Sequence, residues 1–224
     1  DNTLTVAKGT VKVLALKCNV STAATGNFTW SINSGDTWSS TGVTSGASIT
    51  ETFGNLTGGT MTIGNGSLAL SVDSSSPGTT TVAAGSSGVT MAVLKLRPTN
   101  ESLTLTDLAL VLTGSGNTLS NASGGSSNSG VSDLVQVYLY DGATLAGTVT
   151  FTGTNTTATS TPMTVSLPNN TDKLITVKAD LATIGTGFPG GIGDSIIINP
   201  AQARTSGQSS GSTIWACSSV TIGN

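Results

Sequence analysis

The chain has 224 residues, with only 8% charged, 4% aromatic, no histidine and a formal net charge of −3. The eight basic residues form no stripe, so nothing supports a nucleic-acid partner, and the missing histidine removes Ser–His and Cys–His nucleophile pairs. Hydrophobic residues reach 36% and Gly, Ser, Thr, Ala and Val dominate, which sets the chain apart from disordered sequences and favours strands joined by glycine turns.

In chain order, residues 10–18 alternate with a period of two, which marks a strand. Lys12, Leu14, Leu16 and Cys18 share one side; Val11, Val13, Ala15 and Lys17 share the other. Leu16-Lys17-Cys18 aligns on Leu94-Lys95-Leu96, which places Cys18 on a core-facing position and both lysines toward solvent. Phe28, Trp30 and Ile32 alternate in a further short strand, and residues 49–53 and 61–63 read as two more. Trp30, Trp38 and Phe53 concentrate the large aromatics. They are read as core filler, with a sugar-stacking platform as the alternative.

From Ser67 the rhythm is regular. Strands are expected at 68–72, 79–82, 89–96, 103–112, 134–140, 145–151, 165–167, 174–181, 196–198 and 213–222, separated by turn signals. Leu103 and Leu105 lie on one parity and Leu108, Leu110 and Leu112 on the other, so a β-bulge near Asp107 is needed to keep five leucines on one face. Residues 117–130 read as a Ser/Gly/Asn loop, and 181–184 as one short helical turn. The expected fold is all-β: an Ig-like antiparallel β-sandwich of Greek-key or jelly-roll type with an N-terminal β extension. Residues 1–20 form a strand without a sandwich of its own, 21–66 a small irregular β region, and 67–224 the main sandwich.

The stretch LALSVDSSSPGTTTVAAGSSGVTMAVLKLRPTNESLTLTDLALVLTG, followed by VSDLVQVYLYDGATLAGTVTF and LITVKADL, resembles the tandem Ig-like surface repeats of large secreted, S-layer-like or pilus-associated proteins of prokaryotes. The features that carry the resemblance are the Ala-Gly-Ser turn before the Val-Leu-Lys-Leu strand, the Asn100-Glu101 dipeptide and the Leu-Tyr-Asp-Gly hairpin at 139–142. The resemblance implies a cell-surface or filament role. It covers about residues 68–181 and does not reach residues 21–66.

Few residues carry chemistry. Glu51 and Glu101 are the only glutamates and read as strand-end residues rather than a glycosidase pair; no catalytic residue and no cofactor is expected. Asp133 and Asp141 flank one strand and are the one candidate for a structural calcium. Lys95 and Glu101 qualify, by residue type alone, for an isopeptide crosslink. Cys18 and Cys217 lie near opposite ends: one disulfide, or two buried free thiols, with the extracellular composition favouring the first. Closing so long a loop is worth about 5 kcal/mol in the chain-entropy account. Asn-x-Ser/Thr triplets begin at Asn19, Asn27, Asn55, Asn65, Asn100, Asn121, Asn155 and Asn169, mostly in expected turns.

No apolar run spans a bilayer, and Asp1 does not open a signal peptide, so an exported chain is read as already processed. The functional expectation is a non-enzymatic, extracellular structural subunit of a filament or surface layer. Its partners are other copies of itself, joined by β-strand addition through Val11, Val13, Leu14 and Leu16. The alternative is a secreted adhesion or carbohydrate-binding module that stacks surface glycans on Trp30 and Trp38.

Overall fold

A computed structural model describes residues 4–21, 24, 26–33, 39–52, 54, 56–113, 131–153, 155–190 and 195–217. The chain divides into two units, residues 1–63 and 64–224.

In the first unit, β1 (Gly26–Ile32) pairs antiparallel with β4 (Leu56–Ile63), and β2 (Ser40–Thr41) pairs with β3 (Ser48–Ile49). The β1–β4 ladder breaks between Thr29 and Ser31, where a Cβ on Gly58 would approach the Trp30 carbonyl to 3.0 Å. None of the described residues of this unit is buried. Three expectations are corrected here. Residues 10–18 form no strand, and Cys18, expected in a core, is exposed. Trp30 is 54% exposed rather than core filler. The physical reason is common to all three: the described residues of the unit form two small antiparallel pairs and no second layer to bury an apolar face against. Trp38 and Phe53 lie outside the described residues.

The second unit is an antiparallel β-sandwich. One sheet has the order β5 (Ser67–Val72), β6 (Val89–Thr99), β12 (Lys173–Leu181), β8 (Leu134–Asp141), β9 (Thr144–Val149). The other runs β7 (Leu103–Thr113), β13 (Ile197–Gly207), β14 (Thr213–Cys217), with β10 (Thr157–Thr159) and β11 (Val165–Leu167) both on the free side of β7. Strands β5, β6, β12 and β8 opposite β7, β13 and β14 reproduce the ABED and CFG order of immunoglobulin-type sandwiches. The β8–β9 hairpin turns on Gly142, whose φ of 59° suits glycine. The inward residues form one core from both sheets, among them Leu94, Leu96, Leu110, Leu139, Ile175, Val177 and Ala203.

The bulge in β7 is present. Arg204 pairs with Asp107 and Thr205 with Leu105, which leaves Thr106 as the extra residue. Leu103, Leu105, Leu108, Leu110 and Leu112 are all buried in consequence. The Thr106 hydroxyl donates to the Arg204 carbonyl at 3.0 Å.

Residues 79–82, expected as a strand, form none. The backbone N–H and C=O of Val93, next to the end of the β5–β6 ladder, are already taken by the Ser76 hydroxyl and the Asp73 amide, so the turn at 73–76 occupies that position on β6. Residues 181–184 are not helical; among the described residues the one 3₁₀ turn is Val131–Asp133. β13 runs far beyond the expected 196–198, and β10 was not expected at all.

A corner clamp joins the start of the sandwich to its end. Asn100 stands at φ 72°, a conformation asparagine tolerates better than most residues, and its side-chain amide donates to the Asn65 carbonyl at 2.8 Å. Next to it, the Glu101 carboxylate accepts the amides of Ser209 and Ser210 at 3.2 and 3.0 Å and the Ser210 hydroxyl at 2.7 Å. A Cβ on Gly207 would lie 2.6 Å from both carboxylate oxygens, and one on Gly66 2.7 Å from Oε1, so a side chain at either position would displace the Glu101 carboxylate from the clamp. Burial pushes the Glu101 carboxyl up, but the Ser210 hydroxyl and the amides of Ser210, Ser209 and Gly66 together hold it below the usual glutamate value.

Candidate functional site

The first candidate is residues 10–18. Their sequence alternates as a strand does, yet no described residue pairs with them in a ladder. Val11 is 92% exposed, Leu14 70% and Leu16 69%; Val13 is exposed as well. The Thr10 amide and hydroxyl close a turn on the Ala7 carbonyl and the Lys12 ammonium donates to the Thr5 carbonyl at 3.4 Å; among the described residues the backbone from Val11 to Cys18 sits in no ladder. A run of exposed apolar residues with free backbone donors and acceptors is a template for β-pairing.

The second candidate lies on the outer face of the β7–β13–β14 sheet. Register sets two rows there: Trp215 beside Arg204 beside Asp107, and Cys217 beside Gln202 beside Ala109 beside Thr159. Asp107, Ala109, Thr159, Gln202, Arg204 and Trp215 line a shallow hollow, whose floor is the small side chain of Ala109. Arg204 Nε donates to Asp107 Oδ2 at 2.6 Å, and the guanidinium lies 5.7 Å from the centre of the Trp215 ring. The ion pair neutralises itself, while the ring remains 54% exposed. Sequence reading missed this grid because β13 was not visible past Ile198. The Trp215/Cys217 alternation was the one signal pointing to it.

Cys18 and Cys217 are both free and exposed, in different units; the alternative of buried free thiols is thereby corrected. Asp133 is buried before β8, while Asp141 ends β8 in a 2.6 Å ion pair with Lys173. Eight residues of strand separate the two acids by about 25 Å, too far to share one calcium ion. Among the described residues no group of three or more acidic or Cys side chains is placed to hold a metal. Glu101 is occupied by Ser209 and Ser210, so the Lys95–Glu101 pair offers no free acid for a crosslink. Asn19, Asn27, Asn65, Asn100, Asn155 and Asn169 are exposed; Asn55 and Asn121 lie outside the described residues. Among the described residues no helix is long and apolar enough to cross a membrane.

Comparison with family models, curated proteins and solved structures returned no match.

Proposed function

We propose that the chain is a non-enzymatic structural subunit of an extracellular filament or surface layer, whose copies join head-to-tail by β-strand addition. The observation that carries this reading is the unpaired, apolar, exposed segment 10–18. Strand addition would bury Leu14 and Leu16 at roughly 1.5–3 kcal/mol each and satisfy the backbone along the segment. Head-to-tail donation does not close on itself and therefore yields a fibre. Glycans on the exposed Asn-x-Ser/Thr sites belong to the same extracellular reading. Deletion of residues 1–18 tests it: sedimentation and negative-stain imaging are expected to show polymers for the full chain and only monomers for the truncated one. Polymers from both would refute strand addition by this segment.

A second reading, a carbohydrate-binding module, is favoured by the outer-face hollow rather than by Trp38. An exposed indole beside a self-neutralised ion pair, an amide and a hydroxyl suits a neutral pyranose, with the ring's C–H face on Trp215. Titration with neutral oligosaccharides is then expected to shift tryptophan emission in the native chain and not in Trp215→Ala. Equal responses in both chains would place any sugar elsewhere.

A further inference from the structure

The first unit and the end of the second share a sequence and a turn. Placing Thr10 on Thr171 aligns LTVAKGTVKVLALKCNVST (4–22) with VSLPNNTDKLITVKADLAT (165–183) without a gap. Thr10, Lys12, Lys17 and Thr22 meet Thr171, Lys173, Lys178 and Thr183. Apolar positions also coincide: Leu4 and Val6 fall on Val165 and Leu167, Leu14 and Leu16 on Ile175 and Val177.

The backbone agrees independently. Gly9 has φ 76° and its counterpart Asn170 has φ 56°, two of the chain's left-handed residues. The Thr10 amide donates to the Ala7 carbonyl at 3.1 Å, and the Thr171 amide to the Pro168 carbonyl at 3.2 Å. Further on, β1 pairs antiparallel with β4 as β13 pairs with β14. The segment Thr62-Ile63-Gly64-Asn65 recurs as Thr221-Ile222-Gly223-Asn224.

We infer that residues 4–63 are the second half of another sandwich of the same type, equivalent to β11–β14, and that their partner is a first half of the kind formed by residues 67–164. This rests on the reading that segment 10–18 is completed by strands from elsewhere, and it names what completes it. Residues 10–18 correspond to β12, which sits between β6 and β8 rather than at a sheet edge. The partner must therefore supply a strand on each side. Leu14, Leu16 and Cys18 correspond to Ile175, Val177 and Ala179, all fully buried, so these three face the missing layer. Val11 and Val13 correspond to Asp172 and Leu174, both solvent-facing, so they do not.

Within this chain Asn65 leads directly into β5 at Ser67, so second halves run straight into first halves, as in a tandem array. The lack of any buried residue among those described in the first unit is what a half-sandwich standing alone would show.

The test is an extended chain in which a duplicate of residues 67–164 is fused ahead of Leu4, with Cys217→Ser so that Cys18 is the reporting thiol. Relative to the unextended chain, thiol labelling of Cys18 is expected to slow, and amide exchange at residues 13–17 to slow, each by at least ~100-fold. Leu16→Asp in the extended chain is expected to restore fast labelling, and Val13→Asp to leave it slow. Unchanged labelling and exchange in the extended chain would overturn the inference.

Discussion

Leu108→Ala is expected to lower the stability of the 64–224 unit by about 2–5 kcal/mol. The bulge at Thr106 turns this fully buried leucine onto the same face as Leu103 and Leu105. Such a loss is a large part of the whole stability of an ordinary domain, about 5–15 kcal/mol. Deleting Thr106 is the companion test. Without it Leu105-Asp107-Leu108 alternates directly, so all five leucines of β7 share one face with no bulge. Thr106→Ala keeps the residue count and removes only the hydroxyl bond to the Arg204 carbonyl, worth about 1 kcal/mol. Thermal melts followed by near-ultraviolet circular dichroism are expected to show cooperative transitions for both Thr106 variants and a much lower Tm for Leu108→Ala. Loss of the transition on deleting Thr106 alone would mean that the leucine face is not what sets the fold of β7.

Glu101→Ala is expected to lower the stability of the same unit by roughly 2–3 kcal/mol, since its charged carboxylate accepts three bonds from Ser209 and Ser210 and charge-assisted bonds are worth about 1.5–3 kcal/mol each before water replaces part of them. The effect has a pH signature. The folded carboxyl titrates below its ordinary value, so the folded state binds a proton more weakly than the unfolded chain. Its contribution is complete above the unfolded value, near about 4.3, and is lost as pH falls through the lower folded value. The difference in Tm between native and Glu101→Ala chains is therefore expected to be constant above about pH 5.5 and to shrink in the acid range. A difference that stays constant down to pH 2 would show that the carboxylate's charge is not what holds the 209–210 turn.

Much of the sandwich is legible from sequence because its central strands carry apolar alternation that tertiary structure has no reason to override. β8 and β12 bury alternate residues and β6 does so from Leu94 onward, and the five leucines of β7 imply a bulge before any coordinates exist. β13 is illegible for the opposite reason. Its sequence IINPAQARTSG contains Pro200 and a register shift between Pro200 and Gln202, and its inward residues past Pro200 include Ala203, Thr205 and Gly207. Its strand character comes from lying between β7 and β14, which no local pattern encodes.

The first unit misleads in a more instructive way. Residues 10–18 have the pattern of a strand and form none, because strand formation needs neighbours and no described residue provides them. The turn at Ala7–Thr10 is shared by both stretches it can be aligned on: the left-handed Gly9 and the Thr10-to-Ala7 bond are matched by Asn170 and the Thr171-to-Pro168 bond, and equally by Gly85 and the Ser86-to-Ala83 bond before β6. The outer-face grid around Trp215 was hidden for a related reason, since its rows are defined across β7, β13 and β14 and by no one stretch of sequence.

The most direct test of the central claim, that residues 10–18 are a strand completed by assembly, is hydrogen–deuterium exchange on material in its native assembled state, read peptide by peptide. Amides of residues 13–17 are expected to exchange as slowly as those of β12 in the same sample, and as fast as an unstructured peptide in the isolated chain. Fast exchange at residues 13–17 in the assembled material would contradict the account.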